Sequence, residues 1–127
     1  MIRAPLTHDH GTPPEIVALM RAVYGRDPDL DPASHPKWNK VIRAKRIITE
    51  AQDARVSPWF KGAPLPHRLL TDLRCRPEGE PGELVTCNPP NDAPGALVSF
   101  FWLTLVEYWM RGWADAVFYV EIGRAHV

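Results

Sequence analysis

The fold is decided by residues 84–120, which read LVTCNPPNDAPGALVSFFWLTLVEYWMRGWADAVFYV. Residues 84–87 form a short strand-like segment, and residues 96–111 carry a wide apolar face of helical length. Gly112 is expected to end that helix. Residues 116–120 are continuously apolar, which is typical of a strand buried in a parallel sheet. The order of strand, helix and strand predicts an α/β unit.

The first helix upstream of this unit is predicted by the sequence TPPE at residues 12–15. Thr12 is expected to be the N-cap, Pro13 the first helical residue, and Glu15 the acid that closes a capping box. Gly25 is expected to end the helix.

The alternation of strands and helices continues between these two regions. Residues 30–31 are interpreted as the end of a strand, residues 37–45 as a basic helix and residues 46–49 as a short strand. Residues 60–83 are rich in proline and glycine and predict a long excursion, with a helical turn near residues 68–73. We therefore predict a doubly wound, mostly parallel α/β sheet.

The charge balance limits how the chain could bind nucleic acid. It has 15 basic and 15 acidic residues and a formal net charge of zero. A protein that relied on phosphate neutralisation alone would carry a basic excess, so DNA binding would need a local patch or a basic part outside this chain. Two interpretations, a solvated helix face and a DNA contact, stay open for the one dense basic cluster, Lys37, Lys40, Arg43, Lys45 and Arg46.

No metal, disulfide or membrane segment is expected. Cys75 and Cys87 lack CxxC spacing, which does not suggest a zinc site or a disulfide framework. His8 and His10 have metal-like spacing, but two ligands do not make a site. The start of the chain lacks the apolar segment of a signal peptide, and the apolar stretch at residues 96–110 is too short to span a bilayer. We expect a cytoplasmic protein with no membrane partner.

The candidate site is Asn88-Pro89-Pro90, directly after the strand at residues 84–87. The carboxyl ends of strands in an open α/β sheet face the ligand crevice, and successive prolines hold the backbone as a rigid extended turn. The Asn88 side-chain oxygen and the Pro89 carbonyl oxygen could together accept both hydrogens of an exocyclic amine. Fixed acceptors would also stabilise positive charge developing on that nitrogen. Taken alone, the same tripeptide is more typical of a loop with a turn-forming asparagine.

The ordered set of segments from Thr12 to Val120 resembles the phage-type DNA N-6-adenine methyltransferase family. The matching segments are Thr12-Pro13-Pro14-Glu15, Leu30-Asp31-Pro32-Ala33-Ser34, Asn39, Ala44 with Arg46 to Thr49, Asp53 with Pro58-Trp59, Cys87 to Pro90, and Phe101-Trp102. Each is short, and the specificity lies in their order. The family's usual aromatic residue after the second proline is Asn91 here, and no GxGxxG-like loop follows Asp31.

This resemblance implies a Rossmann-like class I methyltransferase that transfers a methyl group from S-adenosylmethionine to the N6 amine of adenine in double-stranded DNA. It implies catalytic roles for Asn88, Pro89 and Pro90. The cofactor contacts implied by the same match are Thr12, Pro13, Asp31, Ala33 and Asp53. A bacterial or prophage origin is implied as well.

The last six residues, IGRAHV at 122–127, look like the translation of a sequencing adapter and are interpreted as a non-native tail. Residues 1–121 would then be a partial methyltransferase domain, with a sheet that is incomplete at the C-terminus. Two other functions stay open: a non-catalytic phage DNA-associated protein that retains the fold, and an RNA or protein methyltransferase, because an amine clamp could hold other planar amines.

Overall fold

The computed structural model describes residues 11–90 and 95–120. Within these residues the chain forms an α/β structure with three α-helices and a four-stranded sheet. The elements in chain order are α1 (Pro14–Tyr24), β1 (Leu30–Asp31), α2 (Pro36–Ile42), β2 (Arg46–Ile47), a 3-10 turn (Pro66–Arg68), β3 (Glu83–Cys87), α3 (Ala96–Met110) and β4 (Ala114–Tyr119). The sheet order is β2-β1-β3-β4, and every pair is parallel. The predicted α/β class and the predicted parallel pairing are confirmed.

Both faces of the sheet are covered by apolar side chains. On one face α1 and α2 contribute Val17, Met20 and Ile42 to a small cluster that also receives Phe118 from β4. The other face carries the larger cluster, built from the excursion between β2 and β3 together with α3. Strand alternation explains the division, because successive residues of a strand point to opposite faces.

The first helix begins one residue later than expected. Its N-cap is Pro13, with φ −58° and ψ 145°, and no side chain caps the helix. The prediction that Thr12 caps the helix is therefore wrong. A residue before proline is disfavoured in the α region, so Pro13 stays extended and Pro14 becomes the first helical residue. Gly25 ends the helix in the left-handed region at φ 74°, as predicted.

The turn from α2 to β2 is held by Asn39. Its side-chain oxygen accepts from the Ala44 amide at 2.8 Å, and its side-chain nitrogen donates to the Ala44 carbonyl at 3.0 Å. Arg43 adopts the left-handed region and ends the helix at Ile42, earlier than the expected residue 45. Asn39 thus fixes where β2 begins.

Three members of the basic cluster are engaged by carboxylates. Arg43 pairs with Asp27, Lys45 with Asp29 and Arg46 with Glu83. These pairs are partly exposed and individually contribute little stability. Among the described residues, Lys37 and Lys40 form no ion pair with a carboxylate. These two lysines are therefore the members of the cluster that could bind an anion from outside the chain.

The long segment between β2 and β3 is held against the C-terminal end of α3 by side-chain hydrogen bonds. Tyr108 donates to the Pro64 carbonyl at 2.5 Å, and the Arg111 guanidinium donates to the carbonyls of Leu69 and Asp72, each at 2.6 Å. The expected helical turn lies at Pro66–Arg68, slightly earlier than predicted. Carbonyl groups that would be left unpaired in a long loop are satisfied in this way.

The strand β4 lies at one edge of the described sheet, and most of its residues are half-buried. Two tryptophans of α3 are open to solvent: Trp102 is 47% exposed and Trp109 is 55% exposed. Trp113 is buried.

Candidate active site

The site lies at the topological switch point of the sheet, on either side of which successive strands are added in opposite directions. β1 is followed along the chain by β2 on one side, and β3 adds on the other side of β1. Ligands of open α/β sheets bind outside the carboxyl ends of the strands at such a switch point. The segments that leave β1, β2 and β3 converge there.

These segments enclose a cleft of about 320 Å³, a size that suits a small-molecule ligand. The lining side chains come from the loop after β1, the start of α2, the segment after β2, the end of β3 and the first turns of α3. They are Pro32, Ala33, Ser34, His35, Trp38, Ile48, Thr49, Glu50, Asp53, Ala54, Arg55, Asn88, Pro90, Leu97, Phe100 and Phe101.

The cleft brings together four of the eight residues that the sequence nominated: Ala33, Asp53, Asn88 and Pro90. The other four do not line it. Pro89 is buried between two lining residues, and Asp31 is buried at the end of β1. Thr12 is buried and Pro13 is half-buried at the start of α1. Asn91, and with it the question of an aromatic residue after the second proline, falls outside the described residues, as do His8, His10 and the interpreted tail.

Asn88 is positioned by the end of β3. The preceding Cys87 is fully buried, and its carbonyl accepts from the Val120 amide at 2.7 Å. Pro89 and Pro90 have no N–H groups, so the strand cannot continue its ladder and Asn88 emerges at the cleft. Burial, with a further contribution from the charge of Asp31, raises the pKa of the Cys87 thiol. Cys87 is therefore a buried apolar residue rather than a nucleophile.

Asp31 shapes the loop after β1 from beneath the cleft. Its side chain is only 1% exposed and accepts from the Ala33 amide at 3.1 Å, and the Ser34 hydroxyl also bonds to it. Burial raises the pKa of Asp31 from 3.8 to about 7, against the opposing effect of these hydrogen bonds. The carboxyl therefore holds residues 32–34 in place and makes no contribution to the cleft wall itself.

This burial predicts a distinctive pH dependence of stability. The unfolded state releases the Asp31 proton near pH 3.8 and the folded state near pH 7, so stability that is complete below pH 3.8 is lost as the pH rises to about 7. Asp31→Asn cannot ionise and keeps an acceptor for the Ala33 amide. We expect the variant to be more stable than the wild type at pH 8, by up to about 4 kcal/mol.

The measurement is urea unfolding of both proteins from pH 4 to pH 8. Asp27, Asp29 and Asp53 have lowered pKa values and favour folding at higher pH, but they act equally in both proteins. The difference between the two proteins therefore isolates Asp31. A difference that does not grow between pH 4 and pH 7 would show that the Asp31 carboxyl is ionised in the folded protein.

Asp53 presents an ionised carboxylate at the cleft in an unusual backbone conformation. Its φ is 62°, and its amide donates to the carbonyls of Thr49 and Glu50. The Arg55 guanidinium donates two hydrogen bonds to the carboxylate, at 2.9 and 3.0 Å, and holds the pKa of Asp53 below its usual value. Aspartate tolerates the left-handed region better than most residues, so a tight turn aims this acid at the cleft.

Glu50 is a cleft residue that the sequence analysis missed. It follows β2, as Asp53 does, and lines the same cleft. Dinucleotide-binding α/β proteins place an acid that binds ribose hydroxyls about 20 residues after the first strand's loop, and Glu50 stands at that spacing from Asp31. This spacing is the sequence signal from which Glu50 could have been identified. His35, Trp38 and Phe100 were missed as well, because nothing in their local sequence marks them as cleft residues.

No family model, curated protein or solved structure matches this chain. The likeness to the methyltransferase family thus stays a prediction from the residues. Within residues 11–90 and 95–120, no cluster of three His, Cys, Asp or Glu side chains could hold a metal ion. Over the same described residues, none of the helices has the length and apolar character needed to cross a bilayer.

Proposed function

We propose that the cleft binds S-adenosylmethionine and that the protein methylates the N6 amine of adenine in double-stranded DNA. The observation that carries the proposal is the meeting of Asn88 with the segments after β1 and β2 in one cleft at the switch point of the sheet. The ordered sequence resemblance supports the same activity.

The residues present suit an adenosine-containing cofactor. Ile48, Ala54 and Phe100 offer an apolar surface for a purine, and Glu50 and Asp53 offer carboxylate oxygens to hydroxyl or amine hydrogens. Arg55 already engages Asp53, whereas the Glu50 carboxylate has no hydrogen bond or ion pair among the described residues. Glu50 is therefore the better candidate for binding the two ribose hydroxyls. The bound cofactor would supply an electrophilic methyl group on a sulfonium.

The role of the Asn88 turn is to hold the amine that receives the methyl group. In this proposal the Asn88 side-chain oxygen accepts one N–H of the amine, and the Pro89 carbonyl accepts the other. Two fixed acceptors favour a pyramidal nitrogen whose lone pair is no longer delocalised into the ring, and they stabilise the positive charge that develops on it. Positioning then supplies the rest of the catalysis, without a covalent nucleophile.

The surface beside the cleft is compatible with a DNA partner. Lys37 and Lys40 are exposed on α2, whose Trp38 lines the cleft, and neither lysine is paired with a carboxylate among the described residues. Phosphate groups of a duplex could be bound by these two side chains. Because the whole chain has no net charge, binding through this patch would be weak and sensitive to salt.

Calorimetric titration with S-adenosylhomocysteine, the stable product form of the cofactor, tests the binding half of the proposal. The wild type is expected to bind saturably, and Glu50→Gln is expected to bind about 10-fold more weakly, because a hydrogen bond to a charged acceptor is replaced by one to a neutral acceptor. Glu78→Gln is the matched control: Glu78 is exposed and does not line the cleft.

The possible outcomes test the identity of the cofactor and the role of Glu50 separately. A folded wild type that shows no saturable heat with millimolar S-adenosylhomocysteine would overturn the proposed cofactor. Equal affinities of the wild type, Glu50→Gln and Glu78→Gln would retain the cofactor and reject the role of Glu50.

A further inference from the structure

The aromatic side chains that line the cleft differ in how much they pack against the hydrophobic clusters. Phe100 and Phe101 both contact Trp59, with ring centroids 6.4 and 6.0 Å from it. Trp38 belongs to neither hydrophobic cluster. It is half-buried on α2 and lines the cleft, and within residues 11–90 and 95–120 its one aromatic neighbour is His35, at 5.8 Å and tilted by 54°. Its indole is thus a large ring of the cleft that takes no part in either hydrophobic cluster.

The indole of Trp38 lies close to Gly11. A Cβ added to Gly11 would lie 3.0 Å from both Cγ and Cδ1 of Trp38 and 3.2 Å from its Cβ. These distances are shorter than ordinary van der Waals contacts, so a side chain at position 11 could be accommodated only if the indole moved. The absence of a side chain at Gly11 therefore leaves room for the indole in the position where it lines the cleft.

We propose that Trp38, next to Gly11, is the stacking surface of the cleft for the purine ring of an adenine nucleoside. This inference rests on the proposed function, which brings two adenine rings to the site, that of the cofactor and that of the target base. A rigid aromatic face suits either ring, because base stacking on an aromatic side chain needs only π surface and little sequence-specific hydrogen bonding. Trp38 would be a positioning residue that sets nucleoside affinity.

The test compares Trp38→Leu, which removes the flat ring but keeps apolar bulk, with Trp38→Phe, which keeps a flat ring. Loss of one base–aromatic stack is expected to weaken binding on the order of 10-fold in Trp38→Leu and far less in Trp38→Phe. Gly11→Ala is expected to weaken binding several-fold while the indole itself is retained. Trp109→Leu, on an exposed part of α3 that does not line the cleft, should bind like the wild type.

Two titrations identify which adenine ring is stacked. One measures S-adenosylhomocysteine binding by calorimetry, and the other measures binding of a mixed-sequence duplex in the presence of saturating S-adenosylhomocysteine. Weakening in the first identifies the cofactor's ring, and weakening confined to the second identifies the target base. If a cooperatively unfolding Trp38→Leu matches the wild type in both titrations, the inference is overturned and the proposed function stands. If the wild type binds no S-adenosylhomocysteine, the proposed function fails and this inference fails with it.

Discussion

Replacement of Asn88 by alanine is expected to slow methyl transfer to DNA on the order of 10²–10³-fold, because one positioned acceptor for the reacting amine is lost. Asn88 lines the cleft at the end of β3, and the prolines that follow it hold the turn without help from its side chain. Affinity for S-adenosylhomocysteine should therefore change little. The rate is measured as transfer of a radiolabelled methyl group to duplex DNA at saturating cofactor.

Asn88→Asp is the matched control for this prediction. Aspartate has the same shape and keeps acceptor oxygens at the same place, so the variant should retain much more activity than Asn88→Ala. A wild-type rate in Asn88→Ala would remove Asn88 from the reaction. Equal losses in both variants would show that the amide N–H₂ group, and not the acceptor oxygen, is what the reaction needs.

Replacement of Trp59 by alanine is expected to reduce the free energy of unfolding by about 3–5 kcal/mol. Trp59 is 1% exposed and lies against Tyr108 and Phe101, with ring centroids 5.3 and 6.0 Å away. Its indole N–H donates to the Ala54 carbonyl at 2.8 Å, and Ala54 lines the cleft. The variant should therefore also bind S-adenosylhomocysteine more weakly, because the segment after β2 loses its anchor.

Trp109→Ala provides the comparison for this effect. Trp109 is 55% exposed on α3, so the same truncation there should cost no more than about 1 kcal/mol. Urea unfolding of the three proteins, followed by far-UV circular dichroism, measures both changes. Losses of similar size at the two positions would contradict the burial of Trp59 in the larger hydrophobic cluster.

The regular elements were predictable where local signals agree with the three-dimensional surroundings. β3 and α3 are both strongly apolar and bounded by proline or glycine, and the structure has them close to the expected residues. The N-cap of α1 was missed because two rules competed at Thr12. Capping chemistry favours threonine, but the restriction that Pro14 imposes on Pro13 determines where the helix begins. For β4 the apolar composition was correctly recognised, but its place at the sheet edge depends on which strands lie beside it.

The candidate site was predictable only in part, because a motif identifies a turn and not its neighbours. Asn88 and Asp53 could be nominated from the ordered segments, and both line the cleft. Asp31 could be nominated in the same way, yet its burial depends on residues distant in sequence that pack above it. The part played by Trp38 is of the same kind, since only the folded chain brings it against Gly11.

The most direct test of the central claim is the identity of the methylated product. The wild type is incubated with methyl-labelled S-adenosylmethionine and a long unmethylated duplex of mixed sequence, and the DNA is then digested to nucleosides and separated. Asn88→Ala is treated in parallel. The account predicts label in N6-methyl-2′-deoxyadenosine with the wild type and a strongly reduced amount with the variant. A folded wild type that binds S-adenosylhomocysteine but places no label on the adenine amine would contradict it.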